Sequence, residues 1–187
     1  MINKLPTIVE LHSDVSTAFK HDAFHHILNT PPPESWIKKH PLAGSSYMPI
    51  DKVEFLLARI FSEYKIEVLS TSVMFQSIAV TVRVHYKHPI TLEWMFHDGV
   101  GAKSVQVDKG CSAADLASIK DAAVQMALPS AKSYAIKDAC DHLGKLFGRD
   151  LNRKSTIEFQ GAYENKAVKY NDYQTTPLAK KVEEYEL

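Results

Sequence analysis

Three groups of residues in this chain have types and spacings that could do chemistry. His21 and His25 stand four apart in a stretch that reads as helix, beside Asp22 and His26. That spacing brings two imidazoles onto one helix face, as a zinc site needs. A zinc protease would carry glutamate directly after the first histidine, where this chain has Asp22. The pair is read as surface histidines, and neither a metal nor another cofactor is expected. Gly99-Val100-Gly101-Ala102-Lys103-Ser104 has part of the look of a phosphate loop, yet a P-loop needs glycines where His97 and Ala102 stand. It reads instead as a glycine turn after a strand, where positive φ carries no steric cost. The third group is Lys132 and Lys137, two cations on a long amphipathic helix. Nowhere are Cys, Ser and His spaced as nucleophile and base, so the expectation is a protein without catalysis.

The helix that carries the lysines is expected over Ser130 to Arg153. Ala131, Ala135, Ile136, Ala139, Cys140, Leu143, Leu146 and Phe147 recur at helical spacing and form one apolar stripe. From Lys132 to Lys154 six Lys/Arg face three Asp, and the cations past Gly148 suit the negative end of a helix dipole. Pro129 just before this run is a break or a kink.

The whole chain of 187 residues carries no formal net charge, with 22 basic and 22 acidic side chains. Neutrality argues against a simple nucleic-acid binder, which announces itself by a basic surplus. The distribution is uneven: residues 111–154 hold seven basic and five acidic side chains, while 155–187 hold four and six. A hydrophobic content of 45% suffices for a core. No apolar run approaches the roughly 20 residues of a spanning helix and no signal peptide is recognisable, so a cytoplasmic protein with no membrane partner is expected. The two cysteines, Cys111 in a helix-entry region and Cys140 on an apolar helix face, argue against a disulfide framework or a cysteine zinc site.

In chain order, residues 1–13 read as a lead-in, followed by a helix over about Ser16 to Asn29 with Ser13, Asp14 or Ser16 as its cap. The proline-rich stretch Pro31 to Pro41 excludes helix and central strand, and Trp36 is its candidate anchor, to a surface or to a neighbouring subunit. A second helix starts near Pro49 with Ile50, Val53, Leu56, Leu57, Ile60, Phe61 and Tyr64 as its core face. Three strands follow. Ile66, Val68 and Val73 to Phe75 mark the first, and Ile78 to Tyr86 alternates strictly as the second. Leu92, Trp94 and Phe96 mark the third, their shared parity placing Trp94 and Phe96 in the core. Asp98 to Gly101 is then expected to turn the chain, Ala102 to Gly110 to form a loop, and Ser112 with Asp115 to open a helical run through Leu116, Ile119, Ala123, Met126 and Ala127. Residues 155–187 read as a polar, disordered acidic tail. The expected fold class is α+β, a three-stranded antiparallel meander packed on a long two-part helix with preceding helices. The expected divisions are 1–46 (helix and Pro-rich arm), 47–154 (core domain) and 155–187 (tail).

The order of helix, meander, glycine segment and two-part helix resembles the DNA-annealing domain of the Rad-fifty-two type of recombination proteins, including phage single-strand annealing proteins of the Sak group. The stretches that carry the resemblance are YMPIDKVEFLLARIF (Tyr47 to Phe61), IAVTVRVHY (Ile78 to Tyr86), DGVGA (Asp98 to Ala102) and AAVQMAL with SYAIKDACDHLGKLFG, within Lys120 to Gly148. It implies a β-β-β-α core, assembled side by side into rings or open helical arcs, with single-stranded DNA in a basic groove between sheet and helix. It implies that Lys137 is a groove-facing cation and that Arg83 matches an arginine of the central strand. Ser133 and Tyr134 stand where relatives have two further basic residues. Lys132, one place earlier, is the candidate substitute, and Tyr134 is counted with the DNA-contacting set. Lys103 and Lys109 fall where the family has lysines of an outer DNA contact. The implied function is ATP-independent annealing of complementary strands in recombination or repair, encoded by a phage or mobile element in a bacterial cell. The acidic tail would meet a single-strand-binding protein or compete for the groove. The residues themselves also allow Arg83, His85 and Lys87 to be merely the wet face of their strand. They equally allow a self-assembling interaction module without nucleic acid, or, more weakly, a histidine-dependent metal enzyme.

Overall fold

The computed structural model describes residues 14–41, 44–74, 76–108, 110–111, 118–120 and 122–154. The lead-in 1–13, Lys109, Ser112, Asp115, Leu116 and the tail 155–187 lie outside them. The chain divides into two compact units, Met1–Thr30 with Arg153–Leu187, and Pro31–Asn152. The proline-rich stretch thus falls in the second unit.

In the first unit, α1 spans Val15–Asn29. Of the three candidate caps Asp14 serves, its carboxylate accepting the Ser16 N–H at 3.0 Å. Thr17 and then Ser16 donate to that carboxylate and hold its pKa below the ordinary value. The helix stops where Pro31 disfavours a helical residue before it, and Thr30 is extended.

The second unit opens on the proline-rich arm, which forms a 3-10 turn, Glu34–Trp36, and a short hairpin, β1 (Lys38–Lys39) and β2 (Ser46–Tyr47). Helix α2, Ile50–Ile60, starts directly after Pro49, and its Val53, Leu56 and Leu57 are buried. Trp36 packs edge-on against Phe55 of α2, with ring centroids 5.8 Å apart. The arm is therefore anchored on its own chain. The last expected member of the α2 core face, Tyr64, is exposed and belongs to the next strand.

Strands β3 (Tyr64–Met74), β4 (Ser77–Lys87) and β5 (Trp94–Ser104) form an antiparallel sheet in the order β3-β4-β5. The β4 residues Ile78, Val80, Val82, Val84 and Tyr86 are all buried, as their alternation predicts. Leu69 is the extra residue of a bulge between Val68 and Ser70, where the β3 register shifts. Helix α3, Ala123–Asp141, packs on β4 and β5. This is α+β, with three α-helices and one three-stranded antiparallel sheet among the described residues.

Four expectations about β5 and α3 need correction. Asp98 to Gly101 is strand, not turn, and β5 continues through what was read as loop to Ser104. The glycines are there for proximity. A Cβ on Gly99 would lie 2.2 Å from the Ala135 carbonyl oxygen, and one on Gly101 would lie 2.3 Å from the Ala135 nitrogen. Ala131, Ala135 and Ala139, each 0% exposed, complete this close seat. The seat fixes the parity of β5: Gly99 and Gly101 face the helix, so Trp94 and Phe96 face away and are 53% and 52% exposed. They are not core. The expected helix from Ser112 is not continuous, because Ile119 bridges to Val107 and α3 begins only at Ala123. It then runs through Pro129 without a break, and ends at Asp141 rather than near Arg153. Beyond it the chain turns at Gly144, with φ +151°, and Gly148, with φ +107°. Leu143 and Phe147 remain buried, so the apolar spacing outlasts the helix itself. Arg149 folds back, its Nε donating to the Asp141 carbonyl at 2.8 Å and its Nη2 to the His142 carbonyl. The cation expected at the helix end is present, delivered by a turn.

Candidate nucleic-acid interface

Because α3 sits directly on β4 and β5, the open space lies beside the helix. A cavity of about 690 Å³ is bounded by α3 through Tyr134, Lys137, Asp138 and Asp141, and by β5 through Val100, Gly101 and Ala102. The hairpin closes it with His40, Ser45, Ser46 and Tyr47, and the segment after α3 adds Phe147, Gly148, Leu151 and Asn152. A double hydrogen bond holds the hairpin in place: the Asn152 side chain accepts the Ser46 N–H and donates to the Ser46 carbonyl, both at 2.7 Å.

Lys137 is the centre of this wall. Its ammonium lies 4.6 Å from the Tyr134 ring centroid and 5.1 Å from that of Tyr47, a cation between two π faces. Burial pushes its pKa below the ordinary lysine value, with Asp141 pulling the other way. Lys103 approaches Tyr134 from β5, its ammonium 6.0 Å from the ring. Asp138 is structurally engaged, accepting the Val100 N–H at 2.9 Å and so covering part of the free edge of β5. Asp141 is raised to about 6, first by burial and next by the charge of Asp138.

Of the residues expected to bind DNA, three come together here: Lys103, Tyr134 and Lys137. Lys132 is exposed on α3. Five residues before Lys137, it is turned about 140° around the axis of a helix with 3.6 residues per turn. Arg83 lies on the opposite face of the sheet. There it forms a two-pronged pair with Asp98 at 2.6 and 2.8 Å and stacks 4.0 Å from the Phe96 ring centroid. Asp98 raises the Arg83 pKa and is itself lowered by it. His85 and Lys87 of that face pair with Glu67 and Glu63 at 2.9 and 2.7 Å.

Sequence reasoning missed Tyr47, His40, Asn152 and the acidic pair of the cavity. Pro41 and Gly44 between Lys39 and Ser46 are the turn signals that could have revealed the hairpin. Lys38 pairs with Tyr47 in register and so shares its face of the ribbon. Among the described residues no group of three or more His, Cys, Asp or Glu is placed to hold a metal ion. No described helix is long and apolar enough to cross a membrane. No protein-family model and no curated protein matches this chain.

Proposed function

We propose that this protein binds single-stranded DNA along the groove between α3, the β5 edge and the hairpin, and anneals complementary strands without ATP or catalysis. The observation that carries this reading is the position of Lys137, a partly desolvated cation held between Tyr134 and Tyr47 with Lys103 beside it. Cations meet backbone phosphates and exposed tyrosine faces stack bases, which leaves sequence unread, as annealing requires. The α+β core agrees with the resemblance to the Rad-fifty-two type annealing domain. On this reading the chain works as a homo-oligomer, ring or open arc, inside a bacterial host and of phage or mobile-element origin. Few cations per subunit then suffice, because contacts along one strand multiply. The acidic tail would meet a single-strand-binding protein.

Two complementary labelled oligonucleotides, mixed with near-stoichiometric protein in EDTA and without ATP, should pair faster than alone. Unchanged pairing together with no single-strand binding at low salt would remove the proposal. A self-assembling module without nucleic acid is the second reading. It is favoured by the apolar, uncovered side of β3, where Val68 and Val73 are 48% and 75% exposed. It predicts no dependence of assembly on DNA.

A further inference from the structure

We infer that Asp141 is a further binding residue of this groove, taking up a proton as single-stranded DNA enters and then donating to a phosphate, so that affinity is set by pH. The inference rests on the functional reading just given. Its basis is the unequal standing of the two carboxylates in the cavity wall. Asp138 is committed to the Val100 N–H, and protonation would forfeit a charge-assisted bond. The Asp141 carboxylate makes no hydrogen bond within the described residues, although it is half-buried and lines the same cavity. It stands three residues after Asp138, on the same side of α3.

The charged and titratable groups that face Asp141 come from every wall. Helix α3 brings Lys137 and Asp138, the following segment His142 and Arg149, the hairpin His40 and Tyr47, and Tyr134 flanks the opening. From β5 only Val100, Gly101 and Ala102 line the cavity, none of them titratable. Burial and Asp138 already hold the Asp141 proton to about pH 6. A phosphodiester entering the cavity adds a further negative charge, which raises the pKa again. Each unit of further rise is a factor of about ten in affinity between the protonated and ionised forms. The neutral carboxyl then supplies an O–H donor where the ionised group would repel.

The test uses the full chain and a labelled oligo-dT strand, whose bases do not titrate in the acidic range, at constant ionic strength. Wild-type affinity should rise roughly tenfold from about pH 7.5 to about pH 5.5. Asp141→Asn should bind at the upper pH about as tightly as wild type at the lower, and lose most of the pH dependence. Histidines also gain charge in this interval, so an Asp141→Asn protein that keeps the full dependence overturns the inference in their favour. Calorimetry of wild type in two buffers of different ionisation enthalpy checks the same point without a variant. Uptake of roughly half a proton or more per occupied groove is expected near neutral pH, and none would overturn it. Binding without pH dependence removes this inference alone, whereas absence of binding at every pH removes the functional reading with it.

Discussion

Replacing Gly99 by alanine probes the contact on which the fold of the second unit turns. The added Cβ would stand 2.2 Å from the Ala135 oxygen, 2.3 Å from the Ala139 nitrogen and 2.8 Å from the Ala139 Cα. Van der Waals separation for such pairs is about 3.5 Å, so α3 must lift by roughly 1 Å. The obstructing atoms are backbone, and no side-chain rotamer can relieve them. Lifting the helix parts Ala131, Ala135, Ile136 and Ala139 from the apolar face of β4. Overpacking ordinarily costs about 1–3 kcal/mol, and a clash with helix backbone belongs at or above the top of that range. A domain of this size has only about 5–15 kcal/mol to lose. Urea unfolding followed by circular dichroism should show a midpoint shift worth about 3 kcal/mol or more, with the slope unchanged. Val100→Ala, on the uncovered face next to it, should shift the midpoint by less than about 0.5 kcal/mol. A Gly99→Ala loss below about 1 kcal/mol would refute the reasoning. So would rescue by Ala135→Gly, since trimming a side chain cannot move the carbonyl.

Other outcomes follow from the same geometry. Lys137→Glu should weaken single-strand binding more than Arg83→Ala does, because only Lys137 lines the cavity; equal losses in a fluorescence-anisotropy titration would move the DNA path to the other face of the sheet. The log-log salt dependence of binding should have a slope near −3 for about four phosphate contacts per unit, and a flat plot would favour the assembly module. Asn152→Ala deletes both bonds to Ser46 and should cost about 1–2 kcal/mol, read as faster amide exchange in residues 38–47; unchanged exchange would mean the hairpin holds without it. Asp141 has a folded pKa of about 6 against an ordinary 3.8. The folded state thus binds the proton more tightly, and stability falls as pH rises through that window. Discounted for partial exposure, Asp141→Asn should therefore raise stability at neutral pH by about 1–2 kcal/mol, and a loss would show that the ionised carboxylate is structurally needed.

How far the fold could be read from the residues depends on what their labels report. Strand β4 was legible because five large apolar residues alternate with small or polar ones, and the two sides of the sheet differ in environment. For β5 the same rule chose the wrong side. Its inward positions Gly99 and Gly101 carry no hydrophobic label, while Trp94 and Phe96, which do, face outward. The matching signal was present in α3, where alanines recur every four residues at 131, 135 and 139, but only the pairing of the two elements gives it meaning. Pattern likewise overextended α3: Leu143 and Phe147 keep helical spacing although a 3-10 turn, Lys145–Phe147, has replaced the helix. Two-residue strands have no period at all, so β1 and β2 escaped notice. In the site, Lys137 stood out as a cation of the amphipathic helix and Tyr134 and Lys103 entered through the resemblance, whereas Asp138 and Asp141 looked like ordinary helix charges. Their significance lies in burial and in the Val100 contact, and neither is a property of spacing.

The clasp at Asn152 fixes where the chain may be shortened. One amide side chain both accepts from and donates to Ser46, 106 positions away, as the backbone of a neighbouring strand would. A fragment ending at Gly148 keeps every strand and α3, but its hairpin loses the fastening that makes it a wall. A fragment ending at Asn152 retains it. The natural boundary of the unit is thus set by a side chain, five residues past the last regular turn, Lys145–Phe147.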